Sequence, residues 1–286
     1  MANMHNHVFT PRQTMRQPDF ECYHYLDTVP PVVDFHEHPF YEVFFFLSGD
    51  VRYTIEGRTY QLRPGDILLT GSRDIHRPDV RPGKAYERYV IWIHPSLIDR
   101  LRRTGDDLAA CFADADARAY KLVRPDSAAL TQLKTMCDRT ISAQRETGFG
   151  SGALSLIYLI EFLIHLNRAY FATPEAIRRD VTENSKVNEA VAYINAHLAE
   201  DLSLDRLSRA LYVSKSHLNR SFKEYTGLTL YQYIIKKRLV AARSMLREGA
   251  PVMEACMKCG FNDYSNFLKA FKREFGKNPR EFLEHR

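Results

Sequence analysis

Three histidines and a glutamate stand at spacings that could hold a metal ion. His36-x-His38-x-x-x-Glu42 opens a β-rich stretch, and His76 follows some way downstream. Side chains alternate along a strand, so His36 and His38 fall on one face. Glu42, an even number of residues on, returns to that face if the strand runs regularly past Pro39. With His76 supplied by another strand, three imidazoles and a carboxylate could bind a divalent transition ion such as Mn, Fe, Ni or Zn. The same side chains could instead line a small-molecule pocket, with Trp92, Tyr41 and Arg77 among its walls. Two expectations follow. His36, His38, Glu42, His76 and Trp92 bind an effector with no cofactor required, or His36, His38, Glu42 and His76 hold a divalent metal.

A different chemistry, hydrogen-bond donation to base edges, is written twice near the C-terminus. The first copy runs from Leu204 to Leu211, then Tyr212-Val213, then Ser214 to Lys223; the second runs from Val252 to Cys259, then Gly260-Phe261-Asn262, then Asp263 to Lys272. Each reads as a short amphipathic helix, a turn, and a second helix opened by a capping residue, Ser214 or Asp263. Leu218 with Phe222, and Phe267 with Phe271, lie four apart and share one face. Lys215, Ser216, His217, Asn219 and Arg220, and in the second copy Tyr264, Ser265, Asn266 and Lys269, are thereby the candidate DNA-binding residues. A helix-turn-helix with an apolar back and a donor-rich front suits the major groove. Cys256-x-x-Cys259 could suggest half a metal site, but no second pair accompanies it, and both positions read as buried small hydrophobes.

The tandem pattern resembles the DNA-binding domain of the AraC/XylS family of bacterial transcription regulators. The matching residues are Ser214 to Gly227 in the first copy, and Gly260-Phe261 through Phe271 to Gly276, Asn278-Pro279 and Phe282 in the second. The resemblance covers roughly residues 185–286; Ala255 stands where the family usually has a larger aliphatic. His36-x-His38-x-x-x-Glu42 is in turn similar to the metal-binding motif of cupins, and many regulators of this family carry a cupin-like effector domain. The resemblance implies a double-stranded DNA operator, a small-molecule effector such as a sugar, RNA polymerase contact, activation more often than repression, and a homodimer.

The charge agrees with a DNA-facing C-terminus. The 286-residue chain has a formal net charge of +5, yet residues 184–286 carry 18 Lys and Arg against 11 Asp and Glu, leaving the remainder slightly acidic. Five scattered cysteines do not make a disulfide framework and fit a reducing cytoplasm. The first residues lack an apolar secretory core. The apolar run Ala153–Leu166, interrupted by Ser155, Tyr158, Glu161 and His165, reads as too short and too polar to span a bilayer, so no membrane is expected.

These elements predict an α+β chain. Residues 1–30, with Pro11, Pro18 and Pro30-Pro31, read as an arm. Residues 31–94 hold short β-branched and aromatic strands separated by turns such as Glu56-Gly57 and Pro64-Gly65, a cupin-like barrel. Residues 95–171 turn helical, and the wide apolar surface of 151–170 suggests packing on the barrel and on a second subunit, or burial within one chain. Residues 172–184 read as a linker, and 185–286 as the all-α tandem helix-turn-helix domain. Between its repeats, a helix over Tyr231–Glu248 would set their separation near one turn of DNA, about 34 Å, with Lys236, Lys237, Arg238 and Arg243 meeting phosphates. The clustered His5 and His7 read as part of a loose tip.

Three functions fit: an effector-responsive regulator, a regulator whose barrel binds no small molecule, and a cupin metalloenzyme with a DNA-binding tail. The first is the favoured reading, with no enzymatic activity.

Overall fold

The computed structural model describes residues 6–7, 9, 14–102, 105–172, 181–182 and 184–284. The chain divides into two compact units, one of residues 1–55 and 59–182 and the other of residues 56–58 and 183–286.

In the first unit, β1 (Asn6–His7), β2 (Phe20–Asp27), β3 (Tyr41–Ser48), β4 (Val51–Ile55), β5 (Arg58–Gln61), β6 (Ile67–Thr70), β7 (His76–Val80) and β8 (Tyr86–Ile93) come first. Helices α1 (Pro95–Leu101) and α2 (Ala110–Ala117), strand β9 (Leu122–Val123), helices α3 (Ser127–Arg145) and α4 (Ser151–Ala172), and strand β10 (Val181–Thr182) follow. The strands form two sheets, β1-β2-β8-β3-β6-β9 and β10-β5-β4-β7. The larger sheet is buried on both faces, which is why β3 and β8 read as nearly unbroken apolar runs. Val43, Phe45, Tyr89, Ile91 and Ile93 meet the helices. Phe44, Phe46, Val90 and Trp92, one residue out of phase, meet Val51, Tyr53, Ile55 and Tyr60 of the smaller sheet.

Several boundaries differ from expectation. Residues 20–27, expected within the arm, form β2, which pairs with β8 from Phe20↔Ile93 to Asp27↔Tyr86 and lies inside the larger sheet. Its Phe-Glu-Cys-Tyr-His-Tyr-Leu-Asp text has strand character that the flanking prolines obscure. His7 is on β1, where its Nδ1 accepts from the His24 amide at 3.1 Å; His5 lies outside the described residues. Of the expected linker, Ala172 ends α4, Val181 and Thr182 pair with Tyr60 and Thr59, and 173–180 and 183 lie outside the described residues. The apolar run 153–166 sits within the 22-residue α4, which by length and composition alone could cross a membrane. Its apolar character has a local cause: Leu159, Phe162, Leu163 and Leu166 are buried in the helix-side core. Ser155, expected on a polar stripe, is buried as well.

The second unit is helical: α5 (Ser185–Ala196), α6 (Leu204–Ala210), α7 (Lys215–Thr226), α8 (Leu230–Arg247), α9 (Val252–Lys258), α10 (Tyr264–Phe275) and α11 (Pro279–Glu284). A capping box of Thr229 and Gln232 starts α8. Its Tyr233 packs edge-on to Phe222 of α7, with ring centroids 5.2 Å apart, and its Leu239, Ala242 and Leu246 join the core of Phe261, Phe267 and Phe271. One helix therefore contributes to both halves. Cys256 and Cys259 lie in that second core, as the spacing argument expects, and burial pushes the Cys259 thiol up to about 11.

Candidate effector cavity and nucleic-acid interface

Strand register assembles the polar centre of the first unit. Glu42 on β3 stands opposite Trp92 on β8, and such cross-strand partners project from the same face. The Trp92 indole Nε1 donates to Glu42 Oε2 at 2.7 Å, and the Tyr53 hydroxyl, from the facing sheet, donates to Oε1 at 3.1 Å. His38 Nε2 lies 3.2 Å from Oε2, and His76 Nε2 lies 3.9 Å from Oε1. Burial opposes charge on this carboxyl. The hydrogen bond to His38 and the potential of the three imidazoles outweigh it, holding the group well below the usual carboxylate range. Burial, then the neighbouring His36 and His38, lowers the His76 pKa well below 6.5. Burial and the Glu42 charge raise that of Tyr53.

His36 and His76 face each other in an antiparallel bridge, with His36 N donating to His76 O at 3.1 Å and His76 N to His36 O at 2.9 Å. One nitrogen from each of His36, His38 and His76 falls within 4.8 Å of the others. Glu42, expected as a fourth ligand, stands beside this group with its oxygens engaged by Trp92, Tyr53 and His38. His36, Glu42 and Trp92 open onto a cavity of about 260 Å³, together with Tyr53, Tyr86 and Arg88. Four expected residues are not among its lining: His38 and His76 stand beside Glu42 without opening onto the cavity, and two more lie elsewhere. Tyr41 packs on Phe112, centroids 4.8 Å apart, among the helix-side residues, and Arg77 lies over the Phe35 ring at 4.5 Å. Odd and even positions of a strand face opposite ways, and Tyr41 is out of phase with Glu42.

Arg88 is a feature that residue spacing around the histidines did not reveal. Its guanidinium is 2% exposed, sits 4.0 Å from the Tyr86 ring and 4.8 Å from that of Tyr25, and pairs with Asp27. A buried cation is tolerable only with such partners. The signal was available in β8, where Tyr86, Arg88, Val90 and Trp92 alternate on one face. The cavity thus combines the Glu42 carboxylate, a guanidinium, the three phenols of Tyr25, Tyr53 and Tyr86, and an indole, suited to a small polar molecule with a flat or stackable side.

In the second unit both expected caps are in place. Ser214 accepts from the His217 amide, and Asp263 accepts from the Asn266 amide at 2.6 Å. Both helices end on a left-handed glycine, Gly227 and Gly276, each at φ 73°. Leu218, Phe222, Phe267 and Phe271 are buried. Lys215, Ser216, His217, Asn219, Arg220, Ser265, Asn266 and Lys269 are exposed, whereas Tyr264 is half-buried against the second core. Lys215 forms an ion pair with Asp205 of α6. At 100° per residue, the stripes directly opposite the apolar pairs are Ser216, Arg220 and Lys223, and Ser265, Lys269 and Lys272. Lys223 and Lys272 extend the sequence-derived set, and the identical Ser-x-x-x-Arg/Lys-x-x-Lys spacing in both copies was the signal for them.

The cations of α8 differ from expectation. Lys236 pairs with Glu274 at 2.5 Å, Arg238 donates to the carbonyls of Leu198 and Glu200 at 3.0 and 2.6 Å, and Arg243 is buried over the Phe275 ring. These three side chains join helix ends and aromatic surfaces within the unit, where the sequence suggested phosphate contacts for them and for Lys237, which pairs with Glu56 at 3.2 Å.

Residues 18–163 match the family model of the AraC-like ligand-binding domain, and residues 207–285 match a helix-turn-helix domain. Among curated relatives, the HTH-type transcriptional activator RhaS of Salmonella arizonae is 25% identical over 257 residues, covering 88% of this chain and 87% of the relative. RhaS of an Enterobacter species is 24% identical over 252 residues with the same coverage. A solved transcriptional regulator of Chromobacterium violaceum, described as having an AraC-type DNA-binding domain, is 30% identical over 35% of this chain and 91% of its own, at a TM-score of 0.34. With a ligand-binding model spanning half its length ahead of a helix-turn-helix domain, the chain belongs to the AraC family of DNA-binding transcription regulators.

Proposed function

We propose that this protein is an effector-responsive activator of a catabolic operon, acting in the cytoplasm as a homodimer that contacts RNA polymerase, and that it catalyses no reaction. The observation that carries the reading is the pairing of a buried polar cavity in the first unit with two matching donor stripes in the second. The activator sign follows the RhaS relatives, which are named as transcriptional activators, and a carbohydrate effector is what the family resemblance implies.

The residues fall into roles. Arg220 and Lys269 approach base edges, with Ser216, His217, Asn219, Ser265 and Asn266 beside them; Lys223 and Lys272 meet phosphates. Lys215 and Tyr264 stand at the edge of this surface. In the cavity, Trp92 offers a stacking face, Arg88 donates, and Glu42 accepts from hydroxyl groups. Leu154, Ile157 and Phe171 on the outer side of α4 are exposed apolar residues that suit self-association. A divalent ion among His36, His38 and His76 would stand beside the cavity, which His36 and Glu42 line. The effector acts by preferring the subunit arrangement that fits two operator half-sites, a population shift set by its differential affinity.

Mapping of the genomic sites bound by the protein, followed by thermal-shift titration with the substrates of the neighbouring operons, tests this reading. A sugar or related small polar molecule should stabilise the protein and change operator affinity. Sites scattered without sequence preference would overturn it.

A further inference from the structure

We propose that Tyr212, in the turn between α6 and α7, contacts DNA: its phenol hydroxyl donates to a backbone phosphate at the rim of the groove that α7 enters. The inference deepens the regulator reading and rests on it, since it adds one residue to the surface that holds the operator.

The two repeats close their first helices with the same turn. In the first, the Tyr212 amide donates to the Arg209 carbonyl at 3.3 Å and the Val213 amide to that of Ser208 at 3.0 Å. In the second, the Gly260 amide donates to the Met257 carbonyl at 3.0 Å and the Phe261 amide to that of Cys256 at 3.2 Å. Bond for bond, this is the pair that ends a helix through a left-handed residue, a position usually given to glycine. Gly260 follows that rule at φ 83°, whereas Tyr212 takes the position at φ 54°. A side chain is unfavourable there because its Cβ crowds the carbonyl oxygen that follows.

Packing does not offset this strain. Tyr212 is 94% exposed, and its hydroxyl has no hydrogen-bond partner among the described residues. The second turn is closed to any side chain, since a Cβ on Gly260 would stand 2.7 Å from the Leu198 carbonyl oxygen and 2.9 Å from the Arg238 guanidinium carbon. The first turn is open, yet it carries a phenol rather than the glycine or asparagine that suits the left-handed region. A strained ring facing solvent is placed for a contact outside the chain.

Its position selects the partner. Ser214, two residues on, caps α7, and the N-terminal part of a reading helix is the part that meets base edges. Arg209 and Lys215 flank the ring in sequence and are exposed, Lys215 in its ion pair with Asp205. Tyrosine is among the side chains that donate to phosphate oxygens, and such contacts fix register without reading sequence. A neutral hydroxyl releases no counterion, so this contact adds affinity without adding salt dependence.

The test uses full-length wild type, Tyr212→Phe and Tyr212→Gly, a promoter fragment recovered from the genomic sites, and a scrambled fragment of equal length. Affinity at physiological salt and thermal unfolding by circular dichroism are measured for each. Tyr212→Phe keeps the ring and the backbone; it should bind both fragments about tenfold more weakly, the low end for a hydrogen bond to a charged group, with salt slope and Tm unchanged. Tyr212→Gly should lose at least as much affinity and melt higher, because glycine relieves the left-handed turn. A Tyr212→Gly variant that melts lower, or a Tyr212→Phe variant that binds as tightly as a wild type that prefers its promoter, overturns the contact and leaves the regulator reading standing. Unchanged DNA binding with lost transcription in a reconstituted polymerase assay assigns the ring to the polymerase and likewise overturns the phosphate contact. Equal wild-type affinity for the two fragments overturns the regulator reading and the contact with it.

Discussion

Glu42 and Trp92 are register partners on β3 and β8, and the indole Nε1 donates to the carboxylate at 2.7 Å inside the first unit. A charged acceptor in that position is stable only while its donors remain, because an unpaired buried charge loses its solvation without compensation.

Trp92→Phe keeps an aromatic ring and removes that donor. Hydrogen bonds to charged groups are worth about 1.5–3 kcal/mol, so urea unfolding of the variant should show a stability loss in that range. An unchanged midpoint would mean that the carboxylate does not depend on the indole.

Acid should destabilise the first unit of the chelator-treated protein. The unfolded chain binds a proton at His76 near pH 6.5, and the folded chain does so only at a lower pH. Between those values the unfolded state holds more protons, so stability falls as pH falls. Glu42 acts in the same direction below pH 4.5, since its folded-state pKa is depressed. Tm measured from pH 7.5 to 5.5 should decline, and His76→Gln should flatten that slope; a Tm rising toward acid would contradict the burial argument.

Arg220→Ala and Lys269→Ala should each weaken operator binding by about 1–3 kcal/mol, with helical content unchanged by circular dichroism. Lys223→Ala and Lys272→Ala should weaken specific and non-specific DNA alike and lower the salt slope by about one each. Wild-type affinity in the first pair would place the base-reading face elsewhere.

Arg238 distinguishes a structural cation from a phosphate ligand. Arg238→Ala leaves the carbonyls of Leu198 and Glu200 without this donor and should cost about 1–3 kcal/mol of stability. The salt slope of DNA binding should not change. A reduced slope at full stability would restore the phosphate role.

Both the helical repeats and the imidazole cluster were legible in the sequence, for different reasons. Caps at Ser214 and Asp263 and apolar pairs at Leu218/Phe222 and Phe267/Phe271 are local signals, and the helices form where those signals lie. His36 and His38 could be joined by strand alternation, but the approach of His76 depends on a non-local bridge that no short window encodes. β2 was hidden because its partner β8 lies far along the chain and prolines flank it. Arg88 and the cations of α8 were misjudged or missed for the opposite reason: charge alone suggests solvent or phosphate, and only packing reveals Tyr86, Phe275 and the carbonyls they meet.

The most direct measurement is the affinity of the full-length protein for a promoter fragment recovered from its genomic sites, against a fragment of equal length and scrambled sequence at the same physiological salt. A regulator with two base-reading helices should prefer the promoter by about 10³-fold or more. Equal affinity for the two fragments would contradict it.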